Sequence, residues 1–223
     1  MSPVLRVALL LAVALAVGAG VGLLPPAVLF VAKPLATVLI IVHAAQRGHD
    51  EPVARRWILA GLVLSLAGDV ALLWPKEGFL PGLIAFLLAH LAYIAAFASR
   101  ARLLSRPAPF LLYAAVAAVV LASLWPGVPA GLRVPVALYV VCLAAMAAQA
   151  GVVWLVMRGT LAATAAWSGA IGGALFVLSD ALLATNKFAV SLPMASLWVL
   201  GSYWAAQWCI AGSLRERAGP TSP

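Results

Sequence analysis

Charge is what this sequence has least of. Of its 223 residues, 14 are Lys or Arg and 6 are Asp or Glu, so only 9% are charged while 65% are hydrophobic. A water-soluble domain needs far more charge to cover its surface, so this balance excludes one and points to the bilayer as solvent. The mean hydropathy of +1.12 says the same. Cysteine is nearly absent too. Cys142 and Cys209 are the only two, both in apolar stretches, which excludes a disulfide framework and a CxxC metal motif and leaves them as packing residues. The signatures of soluble catalysis are missing: no HExxH, no P-loop and no GxSxG. The basic residues form no run. The net charge of +8 is therefore read as topology-setting charge beside anionic lipid, with no nucleic-acid partner.

What is present is a succession of long apolar runs. A helix crosses the hydrocarbon core with about 20 apolar residues, and the chain divides into spans at about 5–22, 27–43, 57–74, 79–99, 109–125, 132–157, 163–184 and 193–214. Eight spans with short loops use nearly the whole length, so residues 1–223 form a single integral membrane domain: an all-α, polytopic fold. Pro25-Pro26, Pro75, Pro81, Pro107, Pro126-Gly127, Gly159 and Pro193 punctuate the joints. Residues 1–20 resemble a signal peptide, but the immediate return through a second apolar run favours a retained first helix.

The basic residues test this layout. With the N-terminus inside, Arg6, Arg47, Arg55, Arg56, Arg100, Arg102, Arg106, Arg158, Arg215 and Arg217 fall on the cytoplasmic side, against Lys76, Arg133 and Lys187 on the other. That is the positive-inside bias of a protein with both termini in the cytoplasm. The expected location is the cytoplasmic (inner) membrane, multi-pass. Gly18 with Gly22, and Gly169 with Gly173, have GxxxG spacing and are read as packing contacts. The segments around Gly68-Asp69-Val70-Ala71-Leu72-Leu73 and Ser179-Asp180-Ala181-Leu182-Leu183 are alike and about half a chain apart. Both helices run outward, so a four-plus-four parallel repeat would fit.

Against this background a few polar residues are out of place. An ionisable side chain deep in a span costs about 2.5–3.5 kcal/mol on insertion scales and usually has a functional reason. Lys33, Asp69, His90 and Asp180 sit in spans two, three, four and seven. At 1.5 Å rise per residue, Lys33, Asp69 and Asp180 lie roughly 6–9 Å below the outer boundary, with His90 at about 16 Å. Three charges from three helices at similar heights would line one polar cavity open outward. Tyr93 follows His90 at helical spacing, Tyr203 and Gln207 share a face of span eight, and Ser179 precedes Asp180. Trp57, Trp74 and Trp125 fit interfacial belts. One imidazole with two carboxylates is a poor metal set, and neither metal nor cofactor is expected. The inventory suits acid–base chemistry or proton movement through the bilayer.

At these residues the sequence resembles the YhhN family, which includes the lysoplasmalogenases. The resemblance covers about residues 30–212. It is carried by Lys33-Pro34, Gly68-Asp69, Gly82-x-x-x-Phe86-x-x-x-His90-x-x-Tyr93, Phe176-x-x-Ser179-Asp180, and Tyr203 with Gln207. It implies a membrane hydrolase that cleaves the vinyl ether bond of a lysophospholipid substrate, giving a fatty aldehyde and glycerophosphoethanolamine or glycerophosphocholine. Asp69, Asp180 and His90 would be catalytic, one aspartate as acid and the other as stabiliser or base. Asp180 is favoured as the acid because Ser179 and Tyr203 are placed to orient it, with His90 assisting proton transfer. Lys33, Tyr93, Ser179, Tyr203 and Gln207 would meet substrate. The rival reading is a proton-coupled transporter that uses the same buried charges. Geometry separates the two: an enzyme wants a cavity closed at its inner end, and a carrier needs paths to both faces.

Overall fold

The computed structural model describes residues 2–74 and 76–216. Pro75 and Arg217, a joint and a cytoplasmic charge in the sequence reading, lie outside the described residues. The described residues form eight α-helices and two short 3₁₀ turns: α1 (Pro3–Gly20), α2 (Pro26–Ala45), α3 (Pro52–Ala71), α4 (Phe79–Ala98), α5 (Pro107–Leu124), α6 (Arg133–Met157), α7 (Ala163–Phe188) and α8 (Ala195–Gly212). Six of them, α1, α2, α4, α5, α6 and α7, are long and apolar enough to cross a membrane.

Proline starts much of this structure. α1, α2, α3 and α5 each open with Pro in the first turn, where the missing N–H has no partner to lose and φ is already helical. Ser2 caps α1 by accepting from Leu5 N at 3.3 Å. Arg55 and Arg56, read from sequence as loop, belong to α3, which therefore begins five residues earlier than expected. Arg55 turns back to donate to the carbonyls of Arg47 and Ala45. At the other end α7 runs four residues past its expected stop, through Asn186 and Lys187.

The helices pack as a closed ring in the order α2, α3, α4, α6, α7, α8 and back to α2, with α1 laid outside on α2 and α8, and α5 outside on α6. Small residues let the ring close. A Cβ at Gly61 would stand 2.3 Å from the Tyr93 ring and one at Gly68 would stand 2.6 Å from Phe86, so α4 seats aromatic rings directly on the α3 backbone. Gly169 and Gly173 do the same for α7, against Phe97 and Ala147. Gly22 does not continue that pattern: it lies past the end of α1 with φ +83° and is a turn residue. Ile40, Ile58, Leu62, Phe97, Met146, Phe176 and Ile210 fill the interior. Leu10, Leu11, Leu111, Leu112, Val119 and Val141 face outward, the inverse of a soluble surface and the pattern lipid requires.

Candidate functional site

Every ring helix supplies at least one polar side chain to the interior, foremost Lys33 from α2, Asp69 from α3, His90 from α4, Tyr139 from α6, Asp180 from α7 and Tyr203 from α8. They sort into two clusters, each built around one carboxylate.

Asp69 is 1% exposed. Its Oδ2 accepts from Thr37 Oγ1 at 2.6 Å and from the Tyr203 hydroxyl at 2.7 Å. Lys33 Nζ stands 3.5 Å from Oδ1 and donates to the Asp69 backbone carbonyl at 3.1 Å. Lys33 and Thr37 are four apart on α2 and so share the face that meets Asp69. That backbone carbonyl belongs to the last turn of α3, where acceptors run short of intrahelical donors, so one ammonium meets both the side chain and the helix end. Trp204 Nε1 donates to Thr37 Oγ1 at 3.2 Å. Behind Tyr203, Gln207 Nε2 donates to its hydroxyl at 3.2 Å, and Gln207 Oε1 accepts from Tyr93 at 2.7 Å. Both oxygens of Asp69 are thus engaged, one by a cation and the other by two hydroxyls.

Asp180 is held differently. The Tyr139 hydroxyl donates to its Oδ2, and His90 Nε2 lies 3.0 Å from the same hydroxyl and 3.9 Å from the carboxylate. Its Oδ1 makes no hydrogen bond among the described residues. The Asp180 side chain keeps 14% exposure while His90 has none. His90 packs edge-on to Phe176 at 4.6 Å, and its Nδ1 has no hydrogen-bond partner. With the proton on Nε2, the bonds run from His90 to Tyr139 to Asp180 and only a lone pair on Nδ1 goes unmet. The opposite tautomer would bury an unpaired N–H, which costs more.

The two clusters meet at the floor of a cavity of about 350 Å³. Lys33, Asp69, Tyr139, Ser179, Asp180 and Tyr203 line its floor. Its walls are apolar, from α4, α6, α7 and the flank of α5 (Tyr113, Val116, Ala117, Val120), and its rim is formed by Phe79, Leu124, Asn186, Lys187 and Phe188. Lys33, Asp69 and Asp180, placed at similar heights by sequence, do share one cavity, though it is mainly apolar rather than polar. His90, Tyr93 and Gln207 stand outside its lining and reach it only through Tyr139 and Tyr203. Beneath the floor, Tyr93, Phe97, Met146 and Gln207 are fully buried and fill the ring.

One expectation is corrected. Tyr203 and Ser179 do not orient Asp180: Tyr203 binds Asp69, and Ser179 donates to the Val199 carbonyl at 3.0 Å, fastening α7 to α8. Adjacent helix residues face different neighbours, so Ser179 could not share the direction of Asp180. Three residues escaped the sequence reading: Tyr139, Thr37 and Trp204. Thr37 had a readable signal, its i+4 spacing from Lys33. Tyr139 had almost none, being one hydroxyl in a long apolar run. Among the described residues, no three His, Cys, Asp or Glu side chains gather as a metal set.

Known proteins similar to this chain share one description. The chain is 31% identical to "Lysoplasmalogenase TMEM86A" of Bos taurus over 189 residues, covering 82% of this chain and 75% of the relative. It is 31% identical to "Lysoplasmalogenase" of Mycobacterium bovis over 179 residues, covering 77% and 65%. It is 37% identical to "Lysoplasmalogenase TMEM86B" of Homo sapiens over 153 residues, covering 66% and 58%. No solved structure matches it. The YhhN family model matches residues 28–214, a stretch that holds the six ring helices, but for the first two residues of α2, and both carboxylates. The chain belongs to the YhhN family.

Proposed function

We propose that this chain is a lysoplasmalogenase, hydrolysing the vinyl ether bond of a lysophospholipid to a fatty aldehyde and a glycerophospho alcohol. The observation that carries this reading is the unequal dress of two carboxylates on one cavity floor. Asp69 has both oxygens engaged by donors, the setting of a fixed negative charge. Asp180, whose side chain lines the cavity, has Oδ2 anchored by Tyr139 and no hydrogen bond on Oδ1 among the described residues. Unlike environments divide acid from base. Protonated on Oδ1, Asp180 delivers its proton to the β-carbon of the vinyl ether and forms an oxocarbenium ion. Asp69 stabilises that positive charge. Water adds to the cation and loses a proton to the Asp180 carboxylate, regenerating the acid, and the resulting hemiacetal collapses to aldehyde and alcohol. His90 and Tyr139 hold Asp180 in place and carry protons to and from it.

The cavity shape supports an amphiphilic substrate. α5 packs on α6 but barely on α4 or α7, leaving a slot with apolar walls in which a single alkenyl chain fits. The filled interior beneath the floor favours an enzyme over a carrier. Release of fatty aldehyde from lysoplasmenylethanolamine by the purified protein tests the reading. No aldehyde from folded wild type would refute it.

The topology is part of the same proposal. α3 and α8 lie between spanning helices in the ring and cross with them, giving eight spans in one domain, with both termini cytoplasmic. The four-plus-four repeat is favoured by the ring order. Exchanging α1–α4 for α5–α8 maps the neighbour pairs of the ring onto one another and α1 on α2 onto α5 on α6, and pairs the helix of Asp69 with that of Asp180, while the contact of α1 with α8 has no counterpart.

A further inference from the structure

The floor of the cavity has no cation to spare. Lys33 is committed to Asp69, and two carboxylates there repel an anionic head group. The other cation on the lining is Lys187, at the rim. It has no carboxylate within 4 Å among the described residues. Its ammonium lies 4.1 Å from the centre of the Phe79 ring and 5.9 Å from that of Phe188, and the two rings meet edge to face at 5.8 Å. A lysine in the last turn of a helix also complements the macrodipole, but that role would not require an aromatic bracket over the cavity mouth. Two further features make the rim electropositive. α4 begins there at Phe79 with no side chain among the described residues capping it, so the positive end of its dipole adds to the field at the rim. Asn186 spends its carbonyl on Leu192 N at 2.9 Å, which leaves its amide hydrogens as donors.

Spacing gives the rim its meaning. Asp180 and Lys187 are seven apart on one helix, so they share a face at a rise of about 10 Å. An extended chain gains about 1.2 Å per bond, so the roughly seven bonds from the β-carbon of a lysolipid vinyl ether to its phosphorus span about 8 Å. A phosphate on the lysine therefore sets the reacting carbon beside Oδ1 of Asp180. We infer that Lys187, with Asn186 and the start of α4, is the phosphate-binding subsite for the substrate's head group, and that its distance from Asp180 selects glycerol-phosphate lipids over neutral ether lipids. This rests on the hydrolase reading above but is tested without turnover.

The probes are two saturated, uncleavable ethers of one chain length, 1-O-hexadecyl-lysophosphoethanolamine and 1-O-hexadecylglycerol. Their equilibrium binding is compared for detergent-purified wild type, Lys187→Met and Lys187→Arg. Wild type should prefer the phosphate-bearing ether at least tenfold. Lys187→Met should lose most of that preference, and Lys187→Arg should keep it. Glycerophosphoethanolamine without a chain should compete only weakly, which separates a lipid head-group site from a free phosphate-ester site. Equal binding of both probes by wild type, or an undiminished preference in Lys187→Met, overturns the assignment. Absence of aldehyde release would instead sink the hydrolase reading and leave this binding result standing.

Discussion

Tyr139→Phe is the change that separates the two carboxylates most cleanly. The substitution removes one oxygen and leaves the ring, so packing against His90 is retained. That oxygen joins His90 Nε2 to Asp180 Oδ2 inside the ring. Without it a buried imidazole nitrogen and one carboxylate oxygen lose their partner together. Each neutral bond of this kind contributes about 1 kcal/mol and one to a charged group about 1.5–3 kcal/mol. Asp180 keeps some contact with the cavity, so part of its loss is met by water. A net loss of about 1.5–3 kcal/mol in the positioning of the acid corresponds to roughly 10–100-fold in kcat.

Aldehyde release, coupled to NADH oxidation by alcohol dehydrogenase, measures it. The fall should lie in kcat with KM little changed, because the floor rather than the rim is disturbed. A merely structural role would instead lower the folded fraction and the thermal midpoint, leaving kcat per folded molecule unchanged. Wild-type kcat in Tyr139→Phe would show that Asp180 does not depend on Tyr139 and refute the reasoning.

Other outcomes follow from the same geometry. Asp180→Asn should cut kcat by about 10²–10⁴-fold, the usual worth of a general acid, and Asp69→Asn by about 10²–10³-fold through lost charge stabilisation. Circular dichroism should show both folded, and normal turnover in both would exclude the two-carboxylate mechanism. At the opposite end of the bundle Glu51 bridges Arg100 at 2.5 Å and Arg215 at 2.6 Å. Burial pulls the Arg100 pKa down and Glu51 opposes this. Glu51→Gln should therefore destabilise by about 3–5 kcal/mol, the effect of stranding a buried charge, seen as a lower thermal midpoint with unchanged KM below it. Gly61→Ala should destabilise by about 1–3 kcal/mol through overpacking, and should also lower activity by pushing Tyr93 away from Gln207.

The number and order of helices were legible because apolar runs with Gly and Pro joints carry that information directly. Two ends were not. Arg55 and Arg56 look like loop residues until Pro52 is seen to start α3 beneath them, and Asn186 with Lys187 looks like a loop until α7 is seen to continue along the cavity. Height was legible only in part. Lys33 and Asp69 do meet, but Asp180, placed by rise per residue roughly 7–10 Å above His90, lies 3.9 Å from it because α7 runs past its expected end. Partnership was not legible. Either aspartate could be reached from Tyr203 on height alone, and the choice depends on how α8 is turned about its axis, which no periodicity fixes in an apolar helix. Tyr139 was invisible for a related reason. A tyrosine in an apolar run reads as packing, and only the ring order sets its hydroxyl between His90 and Asp180.

The unequal treatment of the two aspartates follows from the energetics of burying charge. A carboxylate carried into the hydrocarbon level must be met on both oxygens or left where water or substrate can reach it. Asp69 takes the first course. Lys33, Thr37 and Tyr203 meet it, from two helices, with Trp204 and Gln207 behind them. Asp180 takes the second, since Tyr139 meets one oxygen and the other is unbonded among the described residues on a side chain that lines the cavity. Filling the cavity would strand Oδ1 in apolar surroundings, and adding a donor to Oδ1 would remove the site from which a proton can leave. The cavity and the half-met carboxylate therefore require each other. A bundle stabilised for packing alone would have closed the slot beside α5 and paired Asp180 as fully as Asp69. The open slot, the free oxygen and the lysine two turns above it are together the arrangement that a single-chain phospholipid can complete.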